Sequence, residues 1–370
     1  MGTDRIARPG SSPLDPPSWH CFDAAALQGF AEGLLQRGGL TAEQARDTAQ
    51  ILVEADLMGH TTHGLQLLAA YLRDIEAGRM ASAGEPEVVQ DHPGAVTWDG
   101  HYLPGPWLVL KAMQLAFERV ARQAVVSVAI RRSHHIACLA AYLKRATDRG
   151  LVMLLTCSDP AVASVAPHGA FAGRYTPNPI AAGFPTGGAP VLIDISASTT
   201  TNGMTARMNR DGRGERLPGP WLVDNRGEPS DDPRVMATDP PGAILPLGGM
   251  DQGYKGFALG LLVEALTGGL AGHGRGEAEK RWGASVFLQV IDPAAFAGRD
   301  AFERATGWLA DACRAAPVKP GSPPVRLPGE RALALREAQQ RSGVALHPEV
   351  MPSLVPYAER WSVPVPGPLP

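Results

Sequence analysis

Apolar positions between Asp23 and Leu35 recur at the helical period, and the run ends near Gly38-Gly39. Thr41 opens a second helix, and Gln44 completes a capping-box pattern. Its apolar face runs through Ala45, Ala49, Leu52, Val53, Ala55 and Leu57. The pattern breaks over Asp56-Leu-Met-Gly-His-Thr-Thr-His-Gly64, resumes from Leu65 to Ile75 and stops at Gly78. After a short loop-rich piece, a helix is expected around Trp107 to Gln123. Val125 to Ile130 reads as a buried strand, Ile136 to Arg149 as a helix and Leu151 to Cys157 as a second strand. That spacing predicts a parallel pair joined by a crossover.

From Ser158 to Pro190 the chain is rich in Pro, Gly and Ala, and Val191 to Ile195 is the next strand. Residues 207–247 read as an excursion, with a hairpin over Trp221 to Glu228 and a turn at Asp231-Asp-Pro233. Gly248 to Gly256 opens a helix that runs to Leu266. A strand is expected over Ser285 to Asp292 and a helix over Phe302 to Ala315. Arg326-Leu-Pro-Gly-Glu330 opens another helix, to about Gln340. The fold class is α/β, and 370 residues suffice for a large core and two lobes.

The break after the second helix carries the chemistry. His60 and His63 are three residues apart just before Gly64, placed to look into one cleft. A second pair, His134-His135, follows in Arg131-Arg-Ser-His-His-Ile136. Imidazole gives or takes a proton near neutral pH, so the two segments are expected to face each other across an active site. Asp56, His60 and His63 could offer an oxygen and two nitrogens to zinc, but H-E-x-x-H is missing and no metal is expected.

No G-x-G-x-x-G, P-loop or G-x-S-x-G is present in the required context. Any nucleotide must use another architecture. Glycine-rich helix openings are anion cradles, and Gly248 to Gly256 with Lys255 is the best of them; Pro328-Gly-Glu330 is a lesser one.

A net charge of −3 argues against a nucleic-acid partner. No apolar run reaches a membrane span, so no membrane partner is expected. Cys21, Cys138, Cys157 and Cys313 are scattered, as expected of thiols in a reducing cytoplasm. Residues 1–20 read as a disordered arm and 363–370 as a disordered, proline-rich tail.

Several motifs carry a resemblance. Thr62-His63-Gly64, His134-His135-Ile136-Ala137, Thr156-Cys157-Ser158, Asn178-Pro179-Ile180 and Asp194-Ile195-Ser196-Ala197-Ser198 fall in order along the chain. Lys255-Gly256 and Arg326 to Glu330 follow. The chain resembles the type-2 malate/L-lactate dehydrogenase family, which includes ureidoglycolate dehydrogenase, diketogulonate reductase and piperideine-2-carboxylate reductase.

The resemblance implies a non-Rossmann NAD(P)-binding fold and an intertwined homodimer. It implies hydride transfer between NAD(P)H and a small-molecule keto/hydroxy or cyclic imine/amine substrate. A helical lobe (21–124 with 300–362) would carry the first histidine motif, and 125–299 would be the α/β cofactor-binding lobe. His63, His135 and Thr62 would be catalytic. Ser158, Asn178, Val191, Leu192, Ile193, Asp194, Ile195, Ser196, Tyr254, Lys255, Gly329, Glu330 and Arg331 would hold the dinucleotide.

His60, Leu67, Arg73 and Met204 would face the substrate. Two arginines that often follow the family's Ser-His-Gly are Leu67 and Ala70 here. Arg73, Arg131, Arg132 and Arg207 are the other cations at hand, none at the matching position. Simple malate and lactate are therefore not the expected substrates. The alternative is a member without turnover that serves as a binding or scaffold protein.

Overall fold

The computed structural model describes residues 19–210 and 214–370. Most of the expected N-terminal arm lies outside the described residues. At its end, His20 already belongs to a strand, β1 (His20–Phe22).

Helix α1 (Ala24–Arg37) is capped by Asp23, whose carboxylate accepts the Ala26 N–H at 2.8 Å. Helix α2 (Ala42–Leu57) starts with the expected reciprocal Thr41–Gln44 capping box. After a 3₁₀ turn at Leu65–Leu67 comes α3 (Leu68–Glu76). The stretch expected to be loop-rich forms a hairpin instead, β2 (Glu87–His92) and β3 (Ala95–Asp99). β2 is exposed and polar at an edge, so it lacks the apolar alternation that marks a strand. The chain continues through α4 (Gly105–Gln123), β4 (Val125–Ser133), α5 (Ala140–Thr147) and β5 (Val152–Ser158). Then come β6 (Pro179–Phe184), β7 (Val191–Ser196) and α6 (Asn202–Arg210). The excursion is a small sheet of β8 (Leu222–Val223), β9 (Pro229–Ser230) and β10 (Ala243–Ile244), ordered β10-β8-β9. Helix α7 (Gly249–Glu264), β11 (Ala284–Ile291), α8 (Arg299–Arg314) and α9 (Glu330–Ser342) follow. β12 (Val344–Leu346) pairs antiparallel with β1, and α10 (Val350–Trp361) ends the regular structure.

The seven-stranded sheet has the order β2-β3-β4-β11-β5-β6-β7. β4 and β5 do run parallel, but they do not pair. β11 lies between them, antiparallel to both. The local strand–helix–strand spacing cannot reveal a strand inserted from so far along the chain. β3 and β4 form a parallel pair, so Glu87–Asp99 joins this sheet although it falls in the stretch assigned to the helical lobe.

Helix α2 is the centre of the helical side, packed against α1, α4, α5 and α9. Leu27, Leu34, Leu52, Tyr71, Trp107 and Tyr142 are fully buried there. Truncating such a leucine to alanine costs about 2–5 kcal/mol, so the framework behind the histidine segments is rigid. Residues 363–370 have no regular structure, as expected of their prolines, but they are not disordered. The Leu369 N–H donates to the Cys21 carbonyl at 2.7 Å, and Val363 lies so close to Gly33 that a Cβ there would be 3.1 Å from it. Among the described residues no helix is long and apolar enough to cross a membrane.

Candidate active site

Helix α2 ends in a Schellman turn. Gly59 takes φ +81°, and the His60 N–H returns to the Ala55 carbonyl at 2.8 Å. The His63 N–H then bonds the His60 carbonyl at 2.9 Å, so the two histidines sit on a turn and not on a helix face. Buried Asp56 fixes the far end of this turn. Its Oδ2 accepts the Leu65 N–H at 2.7 Å. A Cβ on Gly64 would lie 2.2 Å from its Oδ1, which explains the glycine by close approach alone. Burial raises the Asp56 carboxyl to about 7. This carboxylate is engaged by the turn, so Asp56, His60 and His63 do not form the metal trio that their spacing allowed.

The expected meeting of the two histidine segments occurs through one member of each. His63 and His135 stack with ring centroids 5.8 Å apart and planes 27° apart. Thr62 Oγ1 is 2.9 Å from His63 Nδ1. His135 Nδ1 accepts the Ala137 N–H at 3.2 Å. A backbone amide can only donate, so the His135 proton resides on Nε2. The Tyr71 hydroxyl sits 2.8 Å from the same Nδ1 and 3.1 Å from the His135 carbonyl. Trp282 lies against the ring, with centroids 4.8 Å apart.

Both rings are neutral at pH 7. Burial, reinforced by His60 and Arg207, lowers His63 to about 4. Burial, with His63 and His134 adding to it, holds His135 well below the ordinary histidine value. His134 is different: it is fully buried, with Nε2 3.0 Å from Asp74 Oδ2. Asp74 is in turn bonded by Arg79 at 2.7 Å. His134 therefore braces the loop and stays out of the cleft.

Helix α6 closes one side. A Cβ on Gly203 would be 3.6 Å from Thr62 Cβ and 3.9 Å from His63 Cε1. Buried Arg207, one turn on, donates to Thr61 Oγ1 at 3.2 Å and to Gln66 Oε1, on either side of His63. Met204 and Leu67 are half-buried, and Leu67 packs on the main core. Arg73 does not reach the cleft. It follows buried Tyr71 by two residues, about 200° round the helix, and is exposed. Arg131 and Arg132 are both committed to buried Asp99, at 2.8 and 2.9 Å. A ring nitrogen of His60 lies within 4.8 Å of Cys138 Sγ and an Asp194 carboxylate oxygen.

The residues expected to hold a dinucleotide divide into two sets. β7 is an edge strand, half-exposed over Ile193 to Ser196. The Arg326–Glu330 loop docks on it: the Leu192 N–H donates to the Pro328 carbonyl at 3.0 Å. Gly329 has φ +91°, and a Cβ there would be 2.7 Å from Leu192 Cβ. Arg326 and Arg331 line a shallow cavity of about 440 Å³ beside this loop. Gly256 presses α7 onto the end of β7, where a Cβ would be 2.7 Å from the Ala197 carbonyl. Exposed Tyr254 and Lys255 thereby flank the same strand end, and Val191 is buried at its start.

The other set is engaged elsewhere. Ser158 Oγ donates to Glu264 at 2.7 Å, and the Asn178 amide donates to Glu264 and to the Gly260 carbonyl at 2.8 and 3.0 Å. Arg275 bonds the same carboxylate at 2.7 Å. Ser158 and Asn178, both buried, thus seat α7 on the sheet. Glu330 accepts the Leu327 N–H at 3.0 Å and pairs with Arg314 at 2.7 Å. The Asp194 carboxylate turns back to accept the Ala140 N–H at 2.8 Å. Sequence reasoning missed Tyr71, Asp74 and Trp282. Tyr71 looks like one more apolar position of an amphipathic helix, and Trp282 lies in a loop with no pattern.

The sequence model of the malate/L-lactate dehydrogenase family matches residues 22–355. The chain belongs to that family. It is similar to an L-lactate dehydrogenase from Cupriavidus necator, 31% identical over 348 residues, covering 91% of this chain and 97% of the relative. It is also similar to a Δ1-pyrroline-2-carboxylate/Δ1-piperideine-2-carboxylate reductase from Pseudomonas aeruginosa, 29% identical, covering 87% and 96%. The fold is that of a malate dehydrogenase from Entamoeba histolytica, with a TM-score of 0.87 at 22% identity over 95% of this chain and all of the other. The chain is an oxidoreductase of a pyridine-nucleotide-dependent family that acts on hydroxy acids and cyclic imines.

Proposed function

We propose that this enzyme reduces a 2-oxo acid or a cyclic imine carboxylate with NAD(P)H at the His63–His135 cleft. The observation that carries this is the stacked pair of neutral imidazoles, with the proton of His135 assigned to Nε2. The edge of β7, the Gly329 cradle and the glycine-rich start of α7 fit an extended, anionic dinucleotide. When bound, the nicotinamide supplies the hydride. The chain's own residues do the rest. His135 Nε2–H donates to the substrate oxygen or nitrogen and polarises the double bond. Arg207 draws the substrate carboxylate to the side of His63. That negative charge raises the His63 imidazole from about 4, so it gains a proton as substrate binds and delivers it as the product forms. Thr62 and Tyr71 hold the two rings.

Leu67 and Met204, which we place at the substrate from their motif positions, offer apolar surface and favour a monocarboxylate with apolar bulk over oxaloacetate, whose second carboxylate would lie unpaired. Tyr254, Leu261 and Leu262 form an exposed stripe on α7, with Leu270 after the π turn (Ala265–Gly269) that continues the helix, each more than half exposed. A stripe of that kind supports the homodimer. The free state of all four cysteines supports work in the reducing cytoplasm.

Reduced-nicotinamide absorbance, followed with pyruvate, oxaloacetate and Δ1-piperideine-2-carboxylate, tests the proposal. Turnover of at least one with NADH or NADPH is expected. Protection against thermal unfolding by either cofactor, with no turnover of any carbonyl or imine acid, would overturn it.

A further inference from the structure

The donor atoms of His60, Cys138 and Asp194 lie within 4.8 Å of one another. They come from three separate elements: the turn after α2, the approach to α5 and the edge strand β7. A nitrogen, a sulfur and a carboxylate oxygen form a zinc-type donor set, and three protein ligands leave a fourth tetrahedral position for water. Bond lengths of about 2.0–2.3 Å put donors of a tetrahedral zinc site about 3.3–3.8 Å apart. Cys138 Sγ and Asp194 Oδ2 are already 3.7 Å apart.

The surroundings suit an ion. The Ala140 N–H at 2.8 Å fixes the Asp194 carboxylate, as outer-shell donors fix metal ligands. Cys138 is buried, while His60 and Asp194 are half-exposed, so the cluster has a route to solvent. The His60 imidazole makes no hydrogen bond to another described residue, although both its backbone N–H and its carbonyl are engaged in the turn. The thiol proton of Cys138 occupies the space between sulfur and carboxylate. We propose that His60, Cys138 and Asp194 bind one zinc-class divalent cation. The ion replaces that proton, which leaves to solvent. One thiolate and one carboxylate then balance its two positive charges, so no net charge is buried. The bound ion ties the turn carrying His63 to the edge of the sheet.

Cobalt(II) titration of chelator-treated full-length protein tests this, because thiolate-to-cobalt charge transfer absorbs strongly in the near ultraviolet. One Co²⁺ per chain with that band is expected, bleached by one equivalent of Zn²⁺. Cys138→Ser is expected to abolish the band and His60→Ala to weaken cobalt binding at least tenfold. Metal-free thermal unfolding of each variant checks that it folds. His60→Ala, at a half-exposed position, keeps the test open if Cys138→Ser does not fold. Absence of the band in the wild type, its survival in Cys138→Ser, or unchanged affinity in His60→Ala would each overturn the proposal. The readout is independent of turnover, so a failure here is distinct from a failure of the assigned activity.

Discussion

The imidazoles of His63 and His135 face each other at 5.8 Å, one from the turn after α2 and one from the segment between β4 and α5. Their environments differ. His63 touches the hydroxyl of Thr62 and feels Arg207, while His135 is held through Nδ1 by Ala137 and Tyr71. The first can gain a proton when an anion binds, and the second is fixed as a donor through Nε2.

His63→Asn is therefore expected to lower kcat by roughly 10²–10⁴, the range for a positioned acid, with cofactor binding unchanged. Substrate binding is expected to take up protons below neutral pH, because the bound carboxylate lifts His63 from about 4. Calorimetry in buffers of different ionisation enthalpy reads this uptake, and His63→Asn should lose it. A larger kcat loss in His135→Asn than in His63→Asn would reverse the roles.

Asp56 gives a pH prediction of definite sign. Its folded-state carboxyl lies near 7, above its ordinary value of 3.8. The folded state thus holds a proton that the unfolded chain has released. The stability this contributes is complete below about pH 4 and is lost as pH rises toward and through 7, at about 1.4 kcal/mol per unit. His63 acts oppositely, contributing stability above its ordinary 6.5 that is lost as pH falls toward 4. Asp56→Asn keeps an acceptor for the Leu65 N–H but does not titrate. Urea unfolding at about pH 5 and about pH 8 is expected to show a smaller loss for Asp56→Asn than for the wild type. An equal loss would assign the pH dependence to another group.

The signals behind these residues differ in how far they reach along the chain. The α2 capping box, the break at Gly59–Gly64 and the helix opened by Gly248-Gly249 are local, so their short-range chemistry was legible. His63 was legible as a candidate because it follows a helix break and precedes Gly64, and His135 only as one member of a histidine pair. The insertion of β11 between β4 and β5 was not legible, since any buried apolar strand could take that place. Nor could the sequence separate His134 from His135. Only the Asp74–Arg79 bracket, which depends on α3 lying under the loop, makes one structural and leaves the other in the cleft. The hydrogen bonds of Ser158 and Asn178 to Glu264 were not legible, because Glu264 and Arg275 lie on distant segments.

Lys255 sits on the exposed side of α7, where Gly256 brings the helix onto the end of β7. A charge-assisted contact to a phosphate contributes about 1.5–3 kcal/mol. Lys255→Ala is expected to weaken NADH or NADPH binding roughly tenfold or more, with kcat at saturating cofactor little changed. Equal dissociation constants for both cofactors in mutant and wild type would remove Lys255 from the site.

The substrate prediction turns on Arg207. The motif position where an arginine often follows Ser-His-Gly is Leu67, and Leu67 packs against the core. Arg207 instead brings a buried guanidinium to the other flank of His63, held by Thr61 and Gln66. A guanidinium can grip one carboxylate through two parallel hydrogen bonds. Arg207→Met keeps the length of the side chain and removes the charge. It is expected to raise KM for a carboxylate substrate tenfold or more while leaving the cofactor dissociation constant unchanged. Oxaloacetate is expected to react with kcat/KM at least about a hundredfold below a cyclic imine monocarboxylate, because burying an unpaired carboxylate costs several kcal/mol. Leu67→Arg places a second cation beside Gln66 and is expected to narrow that gap, at some cost in stability from lost packing. Efficient wild-type reduction of oxaloacetate, or an Arg207→Met enzyme with unchanged KM, would show that the carboxylate is held elsewhere.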